Sequence, residues 1–224
     1  MKNRLMAGAA AALLALLLGG CRADPKAAEG TSVAGQDAAQ PAATDTVQPS
    51  PAPADVPAWE THGFTSGPFS MELPVNWDEV PGMGSYTAMF FTDTTRDLDS
   101  QPSNIVIELP LGAEERELPE IDYRDPEIQQ EFFAFLEENA KNGTGELKNF
   151  EKALWGQPLT FIIAYDRETA DGKTARQTRY YPVDAQYHAM VVYATDFGDS
   201  IAPPLPEVVH HMLVSWQSEW AKTE

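Results

Sequence analysis

The chain has 224 residues, 15 basic and 34 acidic, with a formal charge of −19 and a sequence pI near 4.4. Such a field repels nucleic acid and anionic lipid headgroups and favours basic partners or divalent cations, although solubility alone also accounts for it. Hydrophobic residues make up 43% and aromatics 10%, ordinary for a globular domain, and a single cysteine excludes an internal disulfide.

Lys2 and Arg4 precede an apolar run from Leu5 to Leu18. A membrane-spanning helix needs about 20 apolar residues. This shorter run reads as a secretory signal over residues 1–20. Leu18-Gly19-Gly20-Cys21 resembles a bacterial lipobox. The resemblance implies that the Cys21 thiol takes a diacylglyceryl group, that the chain is cut before it, and that the new amine is acylated, as with palmitate. An ordinary cleaved signal with an incidental Cys21 is the alternative. Several acyl chains, at about 0.8 kcal/mol per buried methylene, make a durable anchor. Arg22 stands where the family's inner-membrane retention signal usually has Asp. That points to the outer membrane, facing the periplasm. Loss of Lys2 and Arg4 with the signal takes the mature chain from −19 to −21.

Residues 21–58 form the next unit, the lipidated cysteine and its tether. Residues 22–58 hold 11 Ala and 6 Pro and no Leu, Ile, Phe, Trp or Tyr. Such a segment buries too little apolar surface to offset its ordering entropy. It reads as a disordered leash with an r.m.s. span of roughly 35 Å. The run Pro49-Ser50-Pro51-Ala52-Pro53 reads as spacer, or as a polyproline ligand. All five Trp lie from Trp59 onward, and residues 59–224 read as one globular domain.

Phe69-Ser70-Met71-Glu72-Leu73 alternates apolar and polar, which predicts a half-buried strand ending at Pro74, with Val75-Asn76-Trp77 turning away. Tyr86–Thr92 and Asn104–Leu109 predict two more strands, the first entered through Pro81-Gly82-Met83-Gly84 and the second stopped by Pro110. Residues 111–124 read as an acidic loop. Asp125-Pro126 starts a helix with a carboxylate cap and Pro in the first turn. Its apolar face is Ile128, Phe132, Phe135 and Leu136, with Phe133 at the edge, and Asn142-Gly143 predicts its end. Four strands follow, near Leu147–Leu154, Pro158–Tyr165, Ala175–Val183 and Tyr187–Thr195. Asp171-Gly172 and Asp184-Ala185 mark turns, so adjacent strands pair antiparallel. Pro203, Pro204 and Pro206 lead into a last helix with a buried stripe of Val209, Leu213, Trp216 and Trp220, and Met212 beside it. This order is not the strand-helix alternation of a doubly wound fold. It predicts an α+β domain: a central antiparallel β-sheet of six or seven strands flanked by helices.

That order and two local patterns resemble the PsbP/DcrB-like family. One pattern is Phe69-Ser70-Met71-Glu72-Leu73-Pro74-Val75-Asn76-Trp77, similar to the family's early strand-Pro-x-x-Trp. The other is the hairpin from Arg179-Tyr180-Tyr181 to Met190-Val191-Val192-Tyr193, followed by a helix ending near Ser215-Trp216. The resemblance covers residues 64–218 and implies a PsbP-like α/β/α sandwich. It also implies a binding or assembly role without catalysis, and the DcrB-like branch contains envelope lipoproteins. The acidic insertion at 111–124 departs from the family pattern.

Several strings carry candidate chemistry. Glu207-Val208-Val209-His210-His211 resembles a metal-binding string, since Glu and His at i and i+3 can chelate from one helix. With Val209 facing the core, however, Glu207 and His211 point outward and His210 lies on the flank, and one Glu-His pair supplies too few ligands. Asp93, Asp97 and Asp99 lack the spacing of an EF-hand. Residues 114–138 hold ten acidic residues and two Arg, a solvated face or a dock for a basic patch. There is no Gly-x-Ser-x-Gly elbow, and Gly63-Phe64-Thr65-Ser66-Gly67 has the wrong spacing. Tyr180 and Tyr181 project to opposite sheet faces. One of them, exposed beside Arg176 and Arg179, would make a binding anchor.

The expectation is therefore a lipid-anchored, non-enzymatic binding or adaptor module for another envelope protein. It is held to the membrane through Cys21 and uses no cofactor and no nucleic acid. A small-ligand or metal-ion binding lipoprotein is the second reading and a hydrolase the third.

Overall fold

The computed structural model describes residues 58–63, 69–80, 83, 88–110, 120–169, 172–199 and 201–218. The signal, Cys21, the tether up to residue 57, residues 111–119 of the acidic insertion, Asp171 and Trp220 lie outside the described residues.

Period-two alternation builds most strands. β1 is Trp59–Gly63, β2 Phe69–Pro74, β3 Trp77–Glu79, β4 Ala88–Asp93 and β5 Asn104–Glu108. Helix α1, Pro126–Thr144, crosses to β6 (Lys148–Gly156), β7 (Leu159–Glu168), β8 (Thr174–Pro182) and β9 (Val191–Asp196). Helix α2, Leu205–Ser215, and the two-residue β10, Gln217–Ser218, close the described chain. Seven strands form one sheet in the order β3-β4-β5-β9-β8-β7-β6, every pair antiparallel. A second sheet has the order β1-β2-β10, also antiparallel. The α+β class and the seven-stranded antiparallel sheet agree with the sequence pattern.

Membership of that sheet differs from the expectation in one respect. Phe69–Pro74 belongs to the small sheet, and Trp77–Glu79 supplies the seventh strand of the large one. Trp77 does not simply turn away. Asn76 accepts from the Thr94 amide at 2.9 Å, and Trp77 pairs with Asp93, so a tight turn reverses the chain into a new sheet.

The large sheet has an apolar layer on each face. On the α2 face, Phe69, Met71, Leu73 and Trp77 pack with Ile105, Ile107, Ile162, Tyr180 and Val192 against Val208, Val209, Met212 and Leu213. Leu205 and Val208 extend the predicted stripe, and Trp216 caps it as the residue after the helix. On the α1 face, Leu136 and Ala140 pack on Phe161, Ile163, Tyr165 and Tyr181, with Phe132, Phe133 and Phe135 around them. β7 is buried on both faces over its first seven residues, so it reads as a continuous apolar run.

The helix caps follow from local chemistry. Asp125 Oδ1 accepts from the Glu127 amide at 2.8 Å, and Pro126 occupies the first turn, as predicted. The other end lies beyond Asn142-Gly143. Gly143 stays helical, the Thr144 hydroxyl donates to the Ala140 carbonyl, and Gly145 closes the helix with φ +81°. Near Asp184-Ala185 the expected tight turn is a longer one. Ala185–Tyr187 makes a 3-10 turn and His188 and Ala189 follow with positive φ, so β9 starts at Val191 rather than at Tyr187.

Candidate functional site

β8 carries both of the sequence-predicted Arg-Tyr pairs, and strand alternation separates them. Tyr180 faces α2 and is 1% exposed; Tyr181 faces α1 and is 3% exposed. Neither is the exposed aromatic anchor the sequence suggested, because both sheet faces are covered at this position. Arg176 is tied up near the end of the sheet. Its guanidinium contacts Asp166 at 3.1 Å and Glu151 at 2.9 Å and donates to the Asn149 carbonyl at 2.6 Å.

Arg179 is different. In the antiparallel register it sits opposite Tyr193 of β9 and Ile163 of β7, on the α1 face. Its guanidinium carbon lies 5.4 Å from the Tyr165 ring centre and 5.3 Å from that of Tyr193. Two such cation–π contacts contribute about 0.5–2 kcal/mol each. Among the described residues no carboxylate lies within ion-pair distance of Arg179. Its Nε is buried without a hydrogen-bond partner, whereas the hydroxyls of Tyr165 and Tyr181 interact with the Arg179 side chain itself. Leaving a buried polar group unpaired costs about 1–3 kcal/mol each. Tyr193 differs, since its hydroxyl donates to Glu108 Oε2 at 2.9 Å.

Burial pushes the pKa of Tyr165 and Tyr181 up, opposed in part by the positive charge of Arg179. Burial also raises Tyr193, and the Glu108 carboxylate adds to that. The three hydroxyls therefore stay protonated at neutral pH. Burial disfavours the Arg179 charge, the surrounding tyrosines favour it, and the net effect keeps it protonated. The guanidinium thus packs among three protonated tyrosines and meets Tyr165 and Tyr181 through polar contacts.

The helix string Glu207-His210-His211 is dispersed. Glu207 is exposed on the first turn of α2. His210 meets the Trp155 ring edge-on at 4.8 Å, and Trp155 contacts Tyr180 in turn. His211 turns to the small sheet, not outward. It stacks on Trp59 at 3.7 Å, and its Nε2 lies 2.6 Å from Glu72 Oε2. Among the described residues no three His, Cys, Asp or Glu side chains group around a common point. Asp97 caps the short turn Leu98–Ser100, where its side chain accepts from the Asp99 amide. Asp93 accepts from the Thr95 amide and hydroxyl and pairs with Arg96, which reaches on to Asp199 at 2.9 Å. Ser103 joins that network, its hydroxyl contacting Asp199 and Asp196.

Sequence reasoning found Arg179 and Tyr181 but not Tyr165, Tyr193 or Glu108. These come from three other strands, and only the register of β5, β9, β8 and β7 brings them together. The one available signal was Arg179 standing directly before the paired Tyr180-Tyr181 in β8.

No family model matches the sequence, and no curated protein matches it. Among solved structures, the solution structure of cyanobacterial PsbP (CyanoP) from Synechocystis is similar, with a TM-score of 0.39 and 13% identity, over 75% of this chain and 97% of that one. The α+β architecture described above stands on the strand pairings of this chain itself.

Proposed function

We propose that this chain is a lipid-anchored protein of the cell envelope, exported by its residues 1–20 and held through Cys21 at the outer membrane, periplasmic side. Its α+β domain, PsbP/DcrB-like in its motifs, acts as a non-enzymatic binding or adaptor module for another envelope protein. The observation that carries this reading is the placement of the single cysteine, directly after Leu18-Gly19-Gly20 at the end of a short apolar run. The Ala/Pro-rich composition of residues 22–58 supports it, since a segment with so little apolar surface suits a spacer between an anchor and a domain. So does the use of the family-like motifs, with Phe69, Met71, Leu73 and Trp77 all in the core.

Two measurements test it. Cys21→Ser should release the protein from membranes on fractionation, and persistent co-sedimentation would refute the anchor. In-cell crosslinking and pull-down at low and high salt should capture one reproducible envelope partner. Loss of that partner at high salt would implicate the acidic face.

A second reading is a lipoprotein that binds a small ligand. It is favoured by one observation, the Arg179 Nε buried among aromatic rings without a hydrogen-bond partner.

A further inference from the structure

We infer that β6 pairs antiparallel with β6 of a second copy of this chain, about a two-fold axis at Leu154, and so joins two seven-stranded sheets into one. This goes beyond the adaptor reading and does not depend on the anchor.

β6 is a nine-residue strand at the edge of the large sheet. Residues 151–154 are all exposed, whereas β7 beside them is buried from Leu159 to Tyr165. A long uncovered edge is a template for another strand. The first half of β6 is blunted by Lys148 and by a break in register before Glu151, where Asn149 has φ +49°. The second half, Glu151–Gly156, pairs regularly with β7.

The free backbone groups can be assigned. The Leu159 amide donates to Asp184 Oδ2 at 3.3 Å, and its carbonyl accepts from the Val183 amide at 3.0 Å. Leu159 therefore turns its backbone towards β8. Antiparallel pairing alternates, so the residues opposite 159, 161 and 163, which are Gly156, Leu154 and Lys152, turn theirs outward.

Charge and shape then choose the occupant and its register. A two-fold axis at Lys152 or at Glu151 would set like charges face to face. An axis at Ala153 would leave the two Lys152 side chains diagonal neighbours. An axis at Leu154 pairs Leu154, 38% exposed, with Leu154 of the second copy, and Ala153 with Trp155 in both directions. It sends Lys152 opposite Gly156, where a Cβ would meet nothing within 4 Å. The two Lys152 are then roughly 13 Å apart along the strand. The segment Ala153-Leu154-Trp155 thus complements itself. The assembly closes at two copies, since β3, at the other edge of the large sheet, has only three residues.

The test is a cysteine scan of the full-length chain in detergent. Cys21→Ser removes the single native thiol, and Glu151→Cys, Lys152→Cys, Ala153→Cys, Leu154→Cys or Val214→Cys then adds one at an exposed position. Opposed hydrogen-bonded residues lie about 5.5 Å apart at Cα, within disulfide reach. Oxidation with copper phenanthroline should give covalent dimer from Leu154→Cys at several times the yield of any other position. Its yield relative to Val214→Cys should rise with salt, which screens the repulsion between two chains of formal charge −19. A maximum at another position, equal yields at all five, no covalent dimer at any of them, or a relative yield that falls with salt would overturn the assignment. Neither result bears on a foreign partner captured by crosslinking, so this inference and the adaptor reading fail separately.

Discussion

Nε2 of His211 lies 2.6 Å from Oε2 of Glu72, joining positions 139 residues apart in the chain. The same imidazole stacks on Trp59 with its plane tilted by 16°. One turn on, Ser215 Oγ accepts from the Glu72 amide at 2.9 Å. Side-chain hydrogen-bond, ring and backbone contacts thus all fasten α2 to the small sheet.

His211→Ala should therefore lower stability by about 1–2 kcal/mol, most of it from the lost stacking. The His211–Glu72 hydrogen bond is partly open to solvent, so Glu72→Gln should cost less than about 1 kcal/mol. His211→Phe should recover part of the loss by keeping a ring on Trp59. Urea unfolding of the three variants checks the order, and an equal cost for Glu72→Gln and His211→Ala would contradict it.

Trp216 packs on Phe69 with ring centres 4.8 Å apart and donates from Nε1 to the Gln186 carbonyl at 3.2 Å. Trp216→Ala removes a large buried ring at the junction of α2, β2 and the turn before β9. The expected cost is about 3–5 kcal/mol. For a domain of this size that lowers the melting temperature by the order of 10 °C. An unchanged melting temperature would mean that the ring is not a core residue.

What the sequence disclosed follows from how local each signal is. The strand at Phe69, the Asp125 cap and the alternation across Tyr180 and Tyr181 depend on neighbours in the chain, and each matches the structure. β1 was missed because Trp59-Glu60-Thr61-His62-Gly63 has no apolar alternation; it is a strand only because it pairs with β2. β10 has two residues and no pattern at all. The same holds at the candidate site. Arg179 is visible in the sequence, but its neighbours Tyr165 and Tyr193 become neighbours only through strand register. His211 was assigned to solvent because the helical wheel knows nothing of a second sheet lying against α2.

The two glycines near the end of α1 should respond with opposite sign. Gly143 is helical, and a Cβ there would meet nothing within 4 Å. Gly143→Ala should stabilise by about 0.5–1 kcal/mol. Gly145 has φ +81° and ψ −136°, a backbone that L side chains rarely adopt. Gly145→Ala should destabilise by about 1–3 kcal/mol although the space beside it is equally open. Paired thermal melts decide this, and the same sign for both would show that the helix ends elsewhere.

Asp93 should make the domain's stability depend on acid. Burial pushes its pKa up, the Thr95 hydroxyl and amide and the Arg96 guanidinium push it down, and the net value lies below 3.8. A carboxylate with a depressed folded-state pKa stabilises fully above its unfolded value and loses that contribution as pH falls through the folded one. Asp93→Asn has no proton to take up at this position. Wild type should exceed it in stability most at pH 5–7, and the gap should narrow below about pH 4. Urea midpoints at pH 7, 5, 3 and 2 measure the gap, and a pH-independent difference would refute the role.

β2 lies between β1 and β10, so strands that precede the large sheet in the chain meet residues that follow α2. Phe69, Met71 and Leu73 need α2 to cover them. A nascent chain that stops before residue 205 therefore carries an uncovered apolar strand near its start, however well β6 to β9 have zipped together through their short connections. Completion is deferred until α2 has been made. Until then the chain remains a substrate for chaperones and proteases, and deletions that remove α2 should be far more damaging than the small number of residues removed would suggest.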